Sequence, residues 1–96
     1  MTPVNMFAHA DSAPHLAMLK RGESAVVTGL AAANGAEQHA IKVRLLELGF
    51  AAGEKVRVVA ESFPRRDPMA VRVGNTTFAL RRAEAAMIQI AEPVAA

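Results

Sequence analysis

Three imidazole side chains are the first groups in this sequence to consider for chemistry, because histidine is the commonest metal ligand and a frequent acid–base residue. They are His9, His15 and His39, and the chain contains no cysteine. No two of them have the i, i+4 spacing that places ligands on one helix face, and no carboxylate cluster completes a set. We therefore expect no metal site and no cofactor. Without cysteine there is no disulfide either, which is compatible with a reducing compartment.

Residues for acid–base or nucleophilic catalysis are also poorly placed. Asp67 stands between Arg66 and Pro68 in a loop, where we expect it to bond a turn rather than abstract a proton. Glu47 lies between helical leucines and is expected to face solvent, and Ser24 has no evident histidine–carboxylate pair. The GxxxxGK[ST] phosphate loop is absent. The sequence therefore predicts a protein that is not an enzyme.

Binding is the remaining class of function, and its candidate residues lie in three places. The first place is the end of a helix and the turn after it, with Leu48, Gly49, Phe50 and Gly53. The second is a proline-containing loop with Phe63 and Pro64, and the third is the end of a strand, at Arg81. Phe50 comes directly after a helix-ending glycine and either folds into the core or projects outward. We favour the core for it, because phenylalanine is usually buried.

Nucleic-acid binding is the alternative. The net charge of the chain is only +2, but residues 55–82 contain seven basic side chains against two acidic ones. The arginines concerned are Arg57, Arg65, Arg66, Arg72, Arg81 and Arg82. Stacking on aromatic side chains normally supplies much of the affinity for single strands, and only Phe63 and Phe78 are offered for it. We therefore rank nucleic-acid binding second.

One helix organises the elements that position these residues. Apolar residues recur at i, i+4 and i+7 on a single face, and they are Ile41, Leu45 and Leu48. The helix is expected over about 35–48, with Gly49 as its stop. Asn34 is the expected N-cap, and Glu37 three residues later predicts a capping box.

The other elements are five short strands, expected over residues 24–30, 55–61, 69–73, 76–81 and 87–91. Gly74–Asn75 predicts a hairpin between the third and fourth strands. The inward side chains are expected to be Val71, Val73, Phe78, Leu80, Ile88 and Ile90. The second strand is expected to point Val56, Val58 and Ala60 to one face and Arg57 and Val59 to the other. A short helical turn is expected over 82–85. The sequence thus predicts a mainly β domain, a small closed barrel of about five strands with one inserted helix and short helical turns.

The sequence shows neither a membrane-spanning segment nor a secretory signal. The longest stretch without a charge covers only residues 24–36, whereas a spanning helix needs about 20 apolar residues. The first ten residues lack Lys and Arg, unlike a secretory signal. We expect a cytoplasmic protein with a tail over 1–15, one domain over 16–92 and a short tail over 93–96.

Four segments in order and spacing carry a family resemblance. RLLELGFAAG at 44–53, VRVV at 56–59, Asp-Pro at 67–68 and FALRRAEA at 78–85 together resemble the FeoA family of ferrous-iron transport accessory proteins. The resemblance extends over about 16–90. It implies a small SH3-like β-barrel with a helical insertion. It further implies a cytosolic protein that works with the membrane ferrous-iron permease, whose own cytosolic domain binds guanine nucleotide.

The same resemblance leaves a regulatory alternative open. The domain also occurs behind helix-turn-helix modules in metal-responsive repressors, and the family is associated with transition-metal binding. We expect a free-standing copy here. Two departures from the family pattern are Ala51–Ala52, where proline is frequent, and Arg66, where glycine is common.

Overall fold

The computed structural model describes residues 14–92. The earlier tail with His9 and the last four residues lie outside this range. A single-turn 3₁₀ helix comes first, at Leu16–Met18. The strands and helices that follow are β1 (Ser24–Leu30), α1 (Gly35–Leu48), β2 (Lys55–Glu61), β3 (Met69–Val73), β4 (Thr76–Leu80), α2 (Arg82–Ala85) and β5 (Ile88–Ile90). The expected order of elements is confirmed, with β4 and β5 slightly shorter than expected.

The strands form one antiparallel sheet in the order β4-β3-β2-β1-β5. The expected mainly β fold is confirmed, but the expected closure is not, because β4 and β5 lie at opposite ends of the sheet and are not paired. The outer edge of β5 is taken by the segment before the 3₁₀ helix. His15 bridges Gln89, and the Ile90 N–H donates to the Pro14 carbonyl at 3.2 Å. That segment occupies the edge that a closing strand would need.

Helix α1 ends in a Schellman motif, with two hydrogen bonds that reach back over the last turn. Gly49 has φ 109°, its N–H donates to the Leu46 carbonyl, and the Phe50 N–H donates to the Leu45 carbonyl, both at 3.0 Å. This geometry turns Phe50 back under the helix. The expected core face is confirmed, since Leu45 is buried and Ile41 packs against the core.

The start of α1 differs from the expected capping box. Asn34 is the N-cap residue, but its side chain makes no capping bond. Instead, the Gln38 side-chain oxygen accepts from the Asn34 backbone N–H at 2.8 Å. The side chain that bonds back to the N-cap N–H therefore belongs to Gln38 and not to Glu37, one residue earlier in the same first turn of the helix.

The core lies between the inner face of the sheet and the helices. Phe50 is fully buried, and its ring centroid is 6.0 Å from that of the partly buried Phe78, at 58° between the planes. The predicted inward residues are confirmed, but Ala60 was wrongly predicted to share the face of Val56 and Val58, which are buried, because Ala60 is exposed. A bulge explains the exception, because β2 pairs Val58 with Val71 and Ala60 with Ala70, which leaves one extra residue on β2.

The β3–β4 hairpin has the two-residue turn that its sequence indicates. Val73 pairs with Thr76 across Gly74 and Asn75. Gly74 has φ 60° and Asn75 does not have a positive φ, which is the type II′ pattern with glycine first. The hairpin therefore fixes the register that aligns β3 with β4.

Candidate functional site

The connection between β2 and β3 is a compact loop over residues 62–68. Its ends are joined by a hydrogen bond from the Ser62 N–H to the Pro68 carbonyl at 3.0 Å, and the Arg66 N–H donates to the Ser62 carbonyl at 2.6 Å. The peptide bonds before Pro64 and Pro68 are both cis. The loop backbone is therefore held by its own hydrogen bonds.

Arg66 occupies a left-handed backbone position in this loop, with φ 63°. Glycine adopts that conformation with the least strain, because it has no Cβ. The arginine side chain makes contacts that glycine would lack: its Nε donates to Glu61 Oε2 at 3.0 Å and its Nη2 to the Leu19 carbonyl at 3.4 Å. Arg66 thus ties the loop to β2 and to the segment after the 3₁₀ helix.

Arg82 holds the other side of the loop. Its backbone N–H donates to Asp67 Oδ1 at 3.0 Å, so Asp67 bonds the loop to the start of α2, in agreement with a structural role. The Arg82 guanidinium donates to the Arg66 carbonyl at 3.3 Å and to the Ala17 carbonyl. Two arginines therefore fasten the loop to three other parts of the chain.

Phe63 projects from this braced loop with 95% of its surface exposed. It borders an open groove formed with the turn before β1, whose lining residues are Lys20, Arg21, Glu61, Ser62, Phe63 and Arg66. An aromatic side chain on a fixed backbone, with basic groups beside it, has the character of an interface anchor. Lys20 and Arg21 were not among the expected site residues, and only the basic pair in that turn signalled them.

The first part of the expected binding set lies elsewhere and has structural roles. Phe50 is fully buried and not available to a partner, and Leu48 is partly buried against the core. Gly49 forms the helix end, while the N–H of Gly53 donates to the Val27 carbonyl at 2.7 Å. This group stands before β2 and the Phe63 loop after it. The seven-residue strand separates the two by about 20 Å.

Arg81 does not line the groove that Phe63 borders. It lines a second groove together with Arg44, Asp67, Pro68, Ala79 and Glu84. Within that groove Arg44 Nη1 donates to Glu84 Oε2 at 3.1 Å, and the Arg81 backbone N–H donates to the other oxygen of Glu84 at 3.0 Å. Both carboxylates of this groove are already engaged, Glu84 by these two contacts and Asp67 by the Arg82 N–H. Phe63 and Pro64 therefore form the better-defined candidate surface.

The donor groups do not fit a metal ion. Among residues 14–92, no group of three or more His, Asp or Glu side chains converges on one point. His15 is partly buried beside the outer edge of β5, opposite Gln89, and His39 is exposed on α1. No helix in the described range is long and apolar enough to cross a membrane.

His15 should make the stability depend on pH. Burial lowers the pKa of His15 below 6.5, and the nearby Arg82 charge lowers it further. As the pH falls, His15 is therefore protonated in the unfolded chain before it is protonated in the folded protein. The contribution of His15 to the free energy of unfolding is fully present above about pH 6.5 and is lost as the pH falls toward the folded-state pKa. Urea unfolding between about pH 7.5 and pH 5 measures this loss, in a range where most carboxylates remain ionised.

The matched variants for this prediction are His15→Gln and His39→Gln. The first should flatten the pH dependence, and the second, at an exposed helical position, should retain it. An unchanged slope in His15→Gln would assign the effect to other groups.

Comparison with solved structures places the fold in the SH3-like class of small β domains. The FeoA of Stenotrophomonas maltophilia, solved with zinc, is described as an SH3 domain protein and as a candidate activating factor of ferrous-iron transport. It is 40% identical over 80% of this chain and 88% of its own, with a TM-score of 0.71. A FeoA-like protein of Clostridium acetobutylicum shares the fold, with a TM-score of 0.72 and 19% identity over 86% of this chain and 88% of its own.

The chain belongs to the FeoA family, because residues 15–92 match the FeoA domain. That family is associated with ferrous-iron transport. The FeoA protein of Chlorobium tepidum is 34% identical over 79% of this chain and 67% of its own, with a TM-score of 0.65. A manganese-dependent transcriptional repressor shares the fold alone, at 17% identity over 79% of this chain and 39% of its own, with a TM-score of 0.66. No match was found among curated proteins.

Proposed function

We propose that this protein is a non-enzymatic accessory subunit of ferrous-iron uptake. It acts in the cytosol by binding the guanine-nucleotide-binding domain of the membrane ferrous-iron permease. The contact is made by Phe63 and Pro64. Family membership supports the process, and the surface chemistry supports a contact rather than a reaction.

The main support for this contact is a fixed backbone that holds Phe63 almost fully in solvent. Exposing a phenyl ring to water is unfavourable, and covering it with a partner recovers the hydrophobic free energy. The hydrogen bonds of Arg66 and Arg82 already order the loop, so little conformational entropy is lost on binding. A preorganised aromatic residue of this kind is typical of an interface hot spot.

Phe63→Ala should weaken binding to the permease domain by at least about 30-fold, which corresponds to about 2 kcal/mol at a hot spot. Biolayer interferometry with the purified domain measures the dissociation constant, with GDP and with a non-hydrolysable GTP analogue. Because the ring contacts solvent, the free energy of unfolding should change by less than about 0.5 kcal/mol.

Leu46→Ala is the matched control, since Leu46 is an apolar side chain of α1 that is 47% exposed. It should leave the affinity unchanged. Equal binding by wild type and Phe63→Ala would contradict the proposed surface, and no binding by wild type in either nucleotide state would contradict the proposed partner.

The alternative is a small-barrel module that binds nucleic acid or responds to a metal ion. The excess of basic side chains over residues 55–82 is the observation that favours nucleic acid. Of the two aromatic residues available for stacking, Phe78 packs against Phe50. Phe63 alone is left for that role within the described chain. A salt titration separates the two functions, because nucleic-acid affinity falls steeply with ionic strength whereas apolar docking hardly responds.

A further inference from the structure

Two arginines stand directly opposite each other on the outer face of the sheet. Arg57 of β2 pairs with Arg72 of β3, and the same row continues to Ser24 of β1 and Thr77 of β4. Side chains at such positions have Cβ atoms about 5 Å apart. Both arginines are exposed, so their guanidinium groups share one small area of the surface.

A third arginine reaches the same area from the turn before β1. The Gly22 N–H donates to the Val58 carbonyl at 2.7 Å, which fixes this turn against β2. An open groove of about 630 Å³ results, lined by Arg21, Gly22, Arg57, Val58, Val59 and Arg72. We call it the arginine groove.

The positive charge of the arginine groove is not balanced within the described chain. Over residues 14–92 the ion pairs join Arg44 to Glu84 and Arg66 to Glu61, and neither involves a groove residue. Glu54 lines the adjoining groove beside Lys55, without an ion pair to Arg57 or Arg72. Like charges directly opposite each other destabilise a sheet. The arrangement becomes favourable when an anionic ligand lies between the two side chains.

We propose that the arginine groove binds an acidic, extended segment of a protein partner. Carboxylates pair with the guanidinium forks of Arg57 and Arg72, a geometry that suits bidentate hydrogen bonding. Val59, which strand alternation places on the same outer face as Arg57 and which is 38% exposed, contacts an apolar side chain of the same segment. A single-stranded nucleic acid would instead need aromatic residues for stacking, and the lining of the groove contains none.

This proposal does not depend on the proposed function, because the groove lies outside the loop that carries Phe63. The two surfaces share only Arg21. The Phe63→Ala variant should therefore bind the permease domain more weakly and still bind an acidic peptide. The two proposals can fail separately.

The test is fluorescence anisotropy at low salt with a labelled decapeptide in which glutamate alternates with valine. The double variant Arg57→Gln/Arg72→Gln should bind at least about tenfold more weakly than wild type, because two charge-assisted contacts are lost. Arg65→Gln/Arg81→Gln removes the same charge outside the groove and should change the affinity less than about twofold. Arg57→Lys/Arg72→Lys keeps the charge and the fold but removes the two-pronged guanidinium groups, so its affinity for the peptide should be lower too.

Four results would overturn the proposal. One is an absence of binding by wild type, and another is equal binding of the peptide with glutamine in place of glutamate. A third is an equal loss in both glutamine double variants, which would indicate a general charge effect. The fourth is tighter binding of a single-stranded oligonucleotide of the same charge that is lost in Arg57→Gln/Arg72→Gln, which would assign the groove to nucleic acid.

Discussion

Phe50→Ala is expected to destabilise the domain by about 3–5 kcal/mol, the usual loss for truncating a buried phenylalanine. The ring is fully buried at the end of α1 and packs against Phe78. The Schellman motif fixes the backbone at this position, so neighbouring side chains cannot easily fill the space left behind. Since small domains are stable by only about 5–15 kcal/mol, the variant should be near the limit of folding. Urea unfolding followed by circular dichroism measures the loss.

Phe63→Ala is the natural control, because it removes the same side chain from an exposed position. Its unfolding midpoint should match that of wild type. If Phe50→Ala unfolded at the wild-type urea concentration, the placement of Phe50 in the core would be refuted.

Gly49→Val is expected to cost about 2 kcal/mol, because a β-branched residue strongly resists positive φ. The value of 109° lies beyond even the left-handed region that other L-residues adopt. Crowding is not the cause, since a Cβ on Gly49 would meet only a methyl group of Val73 at 4.0 Å. For a domain of this size the thermal midpoint should fall by roughly 10 °C, measured by differential scanning calorimetry.

Gly29→Val is the matched control on β1. Gly29 does not have a positive φ, and a Cβ there meets nothing within 4 Å. Valine suits a strand, so this variant should be as stable as wild type or more stable. Equal melting of the Gly49 and Gly29 variants would show that the helix does not end in the left-handed conformation.

The candidate site could be predicted only in part. A loop with two prolines marks a surface connection, and the exposed groove typical of SH3-like barrels makes its Phe63 and Pro64 binding candidates. The sequence did not decide as firmly which of Phe50 and Phe63 is buried and which is exposed, because both follow the end of an element and neither belongs to a periodic pattern. The separation came from the Schellman bonds of Phe50 and from the arginine bonds that brace the Phe63 loop.

The sequence by itself determined what depends on near neighbours. The bounds of α1, its glycine stop, the Gly74 hairpin and most inward strand positions follow from backbone preferences and periodicity within a few residues. These features also carried the resemblance to FeoA proteins.

Tertiary structure alone decided what depends on residues distant in the chain. Local spacing does not specify the opposition of Arg57 and Arg72, since it results from the register of separate strands. The bulge that exposes Ala60 and the unclosed sheet likewise depend on pairing partners. Arg82 reaches the Ala17 carbonyl across 65 positions of sequence. Such contacts form only when the whole chain has packed, because their free energy comes from burial and pairing between elements that no short window of sequence contains.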